Sequence, residues 1–164
     1  MRLEEEIGQL LIQHKLTLAV AESCTGGLVS HRLTNVPGSS AYFLGGVLAY
    51  AYDAKEHLLG VQHITLYEHG AVSEPTAREM ARGVRRALGA DVGMSVTGIA
   101  GPSGGMPGKP VGLTWLALSA RDCERAERQV WGGDRIANKE HSAEAVLALL
   151  KDYLENLPPF NSQP

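Results

Sequence analysis

The chain has 164 residues, of which 44% are hydrophobic and 20% are charged, and this composition predicts one globular domain with a core large enough to fold alone. The formal net charge is −3, so no overall basic field favours nucleic acid or a membrane surface. The polar N-terminus is unlike a signal peptide, no apolar run approaches the length of a membrane span, and the two cysteines have no paired spacing. These features together predict a cytoplasmic protein.

The amino-terminal part of the chain predicts helices and strands in alternation. Apolar residues recur at helical spacing over residues 3–14, and the apolar run at 16–21 predicts a buried strand. A short helix is expected over 28–33. Residues 46–52 predict the second strand, and Asp53 is placed to cap the helix that follows.

The remaining part of the chain predicts a long helix, three strands and a closing helix. Ser73 and Pro75 mark the start of the long helix, which is expected to end at Gly89. The elements expected after it are strands at 92–96, 111–118 and 125–131 and a helix at 143–157, followed by a disordered tail at 158–164.

The alternation of strands and helices predicts a three-layer α/β/α sandwich, in which helices cover both faces of a mostly parallel sheet. The strands expected between residues 92 and 131 follow one another without an intervening helix, so the sheet is expected to be mixed. Residues 1–157 are expected to form this fold as a single domain.

Two glycine-containing segments follow predicted strands and share one design. In both 19–27 and 94–105, an apolar run ends in hydroxyl side chains and glycines. Such loops bring backbone N–H groups and small hydroxyls to the carboxyl ends of a sheet, where open α/β folds bind ligands. Because glycine also serves tight turns, a purely structural role is an alternative for both segments.

The sequence lacks the residue patterns of metal sites and of the common nucleophilic enzymes. The six histidines have no ligand spacing, so no metal site is expected, and neither a Gly-x-Ser-x-Gly elbow nor a Walker loop is present. A serine with a lysine base is an alternative to the Ser-His-Asp triad. Ser40, Tyr50 and Lys55 supply these groups, with a neutral Lys55 as base and Tyr50 as a proton relay or support.

Each of these residues also has a structural explanation. Ser39 and Ser40 follow Pro-Gly and could cap a helix, Lys55 could be a solvated helix charge, and Tyr50 could pack its ring on a strand. Cys24 is better explained as a small buried thiol than as a nucleophile. From the spacing alone, the catalytic and the structural interpretations both stay open.

Several motifs occur in one order along the chain: Glu22-Ser-Cys-Thr-Gly-Gly27, Gly38-Ser-Ser-Ala41, Tyr50 with Lys55, His69-Gly-Ala-Val-Ser-Glu-Pro75, Thr97-Gly-Ile-Ala-Gly-Pro102, Lys109-Pro-Val-Gly112 and Gly133-Asp-Arg135. In this set the chain resembles the CinA C-terminal domain family, which comprises nicotinamide-mononucleotide amidases that occur alone or fused behind a second domain in competence/damage-inducible proteins. The resemblance is to the stand-alone form and covers residues 3 to about 155.

The resemblance implies hydrolysis of the carboxamide of nicotinamide mononucleotide, which yields nicotinic acid mononucleotide and ammonia in pyridine-nucleotide salvage, without a cofactor. It implies Ser40 as the nucleophile, Lys55 as its base and Tyr50 as their partner. The two glycine loops would then hold the nucleotide. The residues expected to bind the substrate are Glu22, Ser23, Thr25, Gly26, Ser39, Thr97, Gly98 and Arg135.

The chain departs from the family pattern at two places. Tyr52 stands where a small polar residue is common, and Asn138-Lys139 replaces a pair of arginines, which weakens the expectation of phosphate binding near Arg135. The alternative functions are a pyridine-nucleotide-binding or regulatory domain without hydrolysis, and an amidase for another carboxamide. The expected partners are a small nucleotide substrate and, by resemblance, further copies of the chain in a homodimer or larger homo-oligomer, with no nucleic acid and no membrane.

Overall fold

The structure, a computed structural model, describes residues 1–160; the predicted disordered tail at 158–164 therefore lies partly outside the described residues, at 161–164. A 3₁₀ turn at Ser39–Ala41 precedes the second strand. Within the described range, no helix is both long enough and apolar enough to cross a membrane.

In chain order the elements are α1 (Leu3–His14), β1 (Leu18–Glu22), α2 (Leu28–Thr34), β2 (Phe43–Leu48), α3 (Tyr52–Leu59), α4 (His63–His69), α5 (Glu74–Leu88), β3 (Val92–Gly98), β4 (Leu113–Ser119), β5 (Glu124–Val130) and α6 (Arg135–Glu155).

The strands form one five-stranded sheet in the order β2-β1-β3-β4-β5. β1 pairs in parallel with β2 and β3, whereas β4 is antiparallel to both of its neighbours. Only residues 120–123 connect β4 to β5, which suits a hairpin and is too short for the crossover that a parallel pair requires. Four of the five strands point the same way, so the predicted mixed, mostly parallel sheet is confirmed.

Helices cover both faces of the sheet, which confirms the three-layer α/β/α arrangement. On one face α1, α2 and α6 enclose a core that includes Val20 and Met94. On the other face α3, α4 and α5 pack over Ala19 and Ala21, and Met80 of α5 belongs to the same core. Successive residues of β1 point to opposite faces, so this strand is buried on both sides, as strands in parallel sheets usually are.

Side-chain caps fix the starts of the two longest helices. α5 follows Ser73, whose Oγ accepts a hydrogen bond from the Thr76 N–H, as the sequence predicts. α6 follows Asp134, whose Oδ1 accepts one from the Ala137 N–H. The start of α6 therefore lies well before the predicted residue 143, because its first turns carry polar residues that show no apolar period.

Two other predictions are wrong in the region that follows β1. The second strand spans Phe43–Leu48 rather than 46–52, because its pairing with β1 ends at Leu48. Tyr52 begins α3, so Asp53 lies in the first turn of that helix and does not cap it. The helix α4 was not predicted, since seven residues are too few to display a clear period.

Candidate active site

A buried lysine lies beyond the carboxyl ends of β1 and β2. Lys55 belongs to α3, and its side chain is completely inaccessible to solvent. Its Nζ lies 3.0 Å from Ser23 Oγ, 2.7 Å from the Ala49 carbonyl oxygen and 3.1 Å from the Tyr50 carbonyl oxygen. The lysine is therefore held by two backbone acceptors and one hydroxyl.

The surroundings of Lys55 disfavour its charged form. Burial lowers the pKa of Lys55 to about 8, because a buried ammonium loses the water that would solvate it. Among residues 1–160, no acidic side chain lies within ion-pair distance of this amine. A substantial fraction of Lys55 is therefore neutral at mildly alkaline pH, as a general base requires.

The hydrogen-bond pattern also fixes the direction of the lysine lone pair. The carbonyl oxygens of Ala49 and Tyr50 can only accept, so each of them takes an N–H of Lys55. The remaining tetrahedral position of a neutral amine then faces Ser23 Oγ. In that state the lone pair can accept the serine proton, which is the arrangement of a Ser-Lys nucleophile and base.

Ser23 reaches this position because it is the first residue after β1. Its N–H donates to the Val96 carbonyl of β3, and the residue is only 8% exposed. β1 lies between β2 and β3, so its carboxyl end is flanked by the ends of two parallel strands. This is the place where open α/β sheets bind ligands.

Ser40 does not join this group within one chain. It is exposed and belongs to the 3₁₀ turn that precedes β2, whereas Lys55 follows β2. The six residues of the strand separate the two ends by roughly 20 Å. The predicted pairing of Ser40 with Lys55 is therefore wrong for a single chain, and Ser39, in the same turn, is also distant from the lysine.

Tyr50 lies at the site but not as the sequence predicts. Its backbone carbonyl accepts a hydrogen bond from Lys55, while its side chain is 62% exposed. The Tyr50 hydroxyl receives its hydrogen bond from Arg135 Nη2, at 3.2 Å. The hydroxyl therefore borders the opening of the site and has no hydrogen bond to the lysine.

Glu22 stabilises the first glycine loop and the start of α2 through hydrogen bonds to its carboxylate. Its buried carboxylate accepts hydrogen bonds from the N–H groups of Gly27, Val29 and Ser30 and from the hydroxyls of Thr25 and Ser30. Five donors fill the capacity of the two carboxylate oxygens. The structure therefore supports a bracing role for Glu22 and leaves no free lone pair for the predicted contact with substrate.

The second glycine loop is tied to its neighbours in a similar way. The Thr97 hydroxyl is buried and donates to the Ala71 carbonyl. A side chain at Gly98 would approach the Thr114 hydroxyl and the Cys24 thiol, so glycine permits the close packing of the two loops here. Both positions are explained by packing, and their predicted role in substrate binding stays a prediction.

Arg135 connects the two sides of the site opening. As the first residue of α6, it donates from Nη1 to the Gly101 carbonyl and from Nη2 to the Tyr50 hydroxyl. Lys139 lies one turn further along α6. Its Nζ approaches Gly26 of the first glycine loop, so closely that a side chain at this position would contact it. In the sequence, Lys139 stands out only as a departure from the family pattern, although its spacing from Arg135 places both cations on one helix face.

The Cys24 thiol, next to Ser23 in the first glycine loop, is buried. Burial raises the pKa of its thiol to about 12, so the thiolate is scarce at neutral pH. The prediction of a small buried thiol is confirmed. Among the residues that the structure describes, no three His, Cys, Asp or Glu side chains are grouped so that they could hold a metal ion.

Comparison with known proteins identifies the family of this chain. The model of the CinA C-terminal domain matches residues 1–154. The chain is 49% identical over 160 residues to a CinA-like protein of Chlorobium limicola and 52% identical over 145 residues to one of Salinibacter ruber. These alignments cover 94% and 88% of the chain but only 37% and 35% of the two relatives, so the chain spans little more than a third of their length.

Solved structures match over almost their whole length. The competence damage-inducible protein A (ComA) of Klebsiella pneumoniae superposes with a TM-score of 0.92 at 34% identity, covering 95% of this chain and 97% of that one. The competence/damage inducible protein CihA of Agrobacterium tumefaciens gives a TM-score of 0.87 at 38% identity, with 95% and 98% coverage. The chain therefore belongs to the CinA C-terminal domain family.

Proposed function

We propose that the protein is an amidohydrolase that converts nicotinamide mononucleotide to nicotinic acid mononucleotide and ammonia, with Ser23 as nucleophile and Lys55 as general base. The observation that carries this proposal is the 3.0 Å contact between Ser23 Oγ and the buried Nζ of Lys55. Membership in the CinA family supports an enzyme, and the resemblance described above supports this substrate.

In the acylation step, neutral Lys55 removes the Ser23 proton while Oγ attacks the carboxamide carbon. The carbonyls of Ala49 and Tyr50 keep the two amine N–H groups in place, so the base needs no reorientation. The attack creates a tetrahedral oxyanion that backbone N–H groups must stabilise. The Thr25 N–H, close after the nucleophile, has no acceptor among residues 1–160, and we assign it this role.

The tetrahedral intermediate then collapses as its C–N bond breaks. The Lys55 ammonium returns its proton to the departing nitrogen, which leaves as ammonia, and an acyl ester remains on Ser23. A water molecule, deprotonated by the regenerated Lys55 amine, attacks this ester. Cleavage of the ester restores the Ser23 hydroxyl and releases the carboxylate product.

The opening of the site suits an anionic substrate. Arg135 and Lys139 carry two positive charges on the first turns of α6, and the described residues include no acidic partner for either side chain within ion-pair distance. A guanidinium presents several N–H donors to a phosphate at once. We therefore propose that Arg135 and Lys139 bind the phosphate of the nucleotide while the carboxamide enters toward Ser23.

A substrate panel tests the proposed activity. Purified protein is incubated with nicotinamide mononucleotide, nicotinamide riboside and free nicotinamide, and the acid products are quantified by NMR. We expect turnover of the mononucleotide without added cofactor, a weaker reaction with the riboside because it lacks the phosphate, and a raised KM for the mononucleotide with Arg135→Gln.

The same panel separates the proposal from its alternatives. Binding of the mononucleotide in calorimetry without formation of the acid would favour a regulatory nucleotide-binding domain. Preferred turnover of an unphosphorylated carboxamide would favour an amidase of different specificity.

A further inference from the structure

A cavity lies at the end of the sheet away from Ser23 and Lys55. It has a volume of about 710 Å³ and is bordered by the last turns of α5 and the connection from β4 to β5. Gly93, near the start of β3, pairs with Ser119, the last residue of β4, so these segments meet at the amino end of β3. The seven residues of β3 separate this end by roughly 20 Å from the carboxyl end, where the candidate active site lies.

Four of the ten arginines of the chain line this cavity, although the chain as a whole has a net charge of −3. Three of them belong to α5, where residues 82, 85 and 86 are three and four positions apart and therefore share one helix face. The fourth, Arg121, belongs to the connection between β4 and β5. Cations from two separate elements therefore border the same cavity.

The two acidic residues that line the cavity are both engaged in other contacts. Glu124 forms an ion pair with Arg82, and Asp122 accepts a hydrogen bond from the hydroxyl of Tyr153 on α6. Within residues 1–160, no carboxylate lies within ion-pair distance of the other three arginines, which are residues 85, 86 and 121. The acidic groups of the described chain therefore leave three of the four positive charges unbalanced.

The dipole of α5 explains only part of this arrangement. Cations in the last turn of a helix are favourable because they face its unpaired carbonyl groups, and Arg85 and Arg86 lie in that turn. The dipole does not explain Arg121, which lies outside the helix. Like charges that face one cavity repel one another, and a bound anion would replace this repulsion with attraction.

We propose that this cavity binds a ligand that carries a diphosphate group, either inorganic pyrophosphate or a nucleoside diphosphate. A guanidinium binds phosphate oxygens through two parallel N–H donors of its planar fork. Arginines from α5 and Arg121 from the facing connection can each take one of the two phosphates. The volume of about 710 Å³ lies in the range of small-ligand sites and leaves room for both ligands. Binding here requires no amidase activity, since no residue of the cavity belongs to the candidate active site.

Calorimetry with ADP, pyrophosphate and AMP tests the chemistry of the ligand. We expect ADP or pyrophosphate to bind at one site per chain, and the tighter of the two shows whether the diphosphate is part of a nucleotide. AMP should bind at least about tenfold more weakly than the tighter ligand, because it lacks the second phosphate. No binding of ADP or pyrophosphate, or equal binding of AMP, overturns the proposal.

Substitutions locate the binding. The double variant Arg85→Gln/Arg121→Gln should weaken binding of the tighter ligand at least about tenfold, because it removes guanidinium groups from both sides of the cavity. Arg128→Gln removes an exposed arginine of β5 that does not line the cavity, and its affinity should stay within about twofold of wild type. Binding that Arg135→Gln abolishes, and that the double variant leaves unchanged, would place the ligand at the candidate active site and overturn the proposal.

Cysteine reactivity locates the ligand without any substitution. Cys123 lines the cavity and is partly exposed, whereas Cys24 is buried. Mass spectrometry measures the alkylation of Cys123 by iodoacetamide with and without ADP or pyrophosphate, whichever binds more tightly. At a concentration of about ten times its Kd, this ligand should slow alkylation about tenfold, because only the unoccupied fraction reacts. An unchanged rate at saturation overturns the proposed position.

Discussion

Lys55 Nζ lies 3.0 Å from Ser23 Oγ although 32 residues separate the two in sequence. The contact exists because β1 and β2 are adjacent and parallel, so the residue after β1 meets the helix after β2. The carbonyls of Ala49 and Tyr50 hold the amine at this place. The proposed roles of Ser23 as nucleophile and Lys55 as base rest on this contact.

The first prediction concerns the nucleophile. Ser23→Ala should lower kcat by at least about 10³-fold, because removal of a covalent nucleophile leaves only binding and oxyanion stabilisation. Ser40→Ala removes an exposed hydroxyl at the other end of β2 and serves as the matched control, with kcat expected within about threefold of wild type. Both variants are assayed with nicotinamide mononucleotide. Loss of activity in Ser40→Ala alone would contradict the assignment of Ser23.

The second prediction concerns the pH dependence of the rate. Because Lys55 must be neutral to act as base, kcat/KM should rise with pH and reach half of its plateau near pH 8, the pKa that burial gives this lysine. Lys55→Arg retains the positive charge but cannot deprotonate, so it should be inactive over the same range. A rate profile that is flat between pH 6 and about 9 would argue against a lysine base.

The third prediction concerns stability rather than rate. The pKa of Lys55 is lowered from 10.5 in the unfolded chain to about 8 in the folded one, so the unfolded state binds more protons between these pH values. The free energy of unfolding contributed by this group should therefore rise with pH from about 8 to 10.5 and be constant below that window. Urea titrations at several pH values measure it. Lys55→Met should remove this rise, and an unchanged rise in that variant would assign the effect to another group.

The fourth prediction concerns the buried Glu22 carboxylate that supports the first glycine loop. Glu22→Gln should reduce the free energy of unfolding by about 3 kcal/mol, because the new amide turns its own donors toward N–H and O–H groups that need an acceptor. Glu68→Gln, at an exposed position, is the control and should change stability by less than about 0.5 kcal/mol. Equal effects of the two substitutions in urea unfolding would show that Glu22 is not a buried brace.

The fifth prediction concerns a hydroxyl in the core. Tyr42 is buried, its hydroxyl has no hydrogen-bond partner among residues 1–160, and its ring leaves no room for a side chain at Gly8. Tyr42→Phe should therefore raise the free energy of unfolding by about 1 kcal/mol. Tyr153→Phe should lower it by about 1 kcal/mol, because the Tyr153 hydroxyl donates to Asp122. Thermal unfolding of both variants measures whether the two changes in stability have opposite signs.

Much of the fold follows from local patterns in the sequence. The buried apolar run before Glu22, the Ser73 cap and the alternation of strands with helices predict the three layers and the mixed sheet, because burial and capping act over a few residues. The predicted boundaries of an element are wrong where strand pairing, rather than the local sequence, determines where the element ends. β2 ends at Leu48 because β1 ends opposite it, and no residue of β2 itself marks that end.

The sequence by itself determined that this chain belongs among α/β domains with two glycine loops at strand ends, and that a lysine and several serines are available for catalysis. It did not determine which serine meets Lys55, since Ser40 is nearer along the chain than Ser23. The tertiary structure decided this, because an intervening strand carries Ser40 away from the lysine while the parallel pairing of β1 and β2 brings Ser23 to it. Residues that are close in sequence can lie at opposite ends of a strand, whereas the order and direction of the strands determine which side chains meet at one end of a sheet.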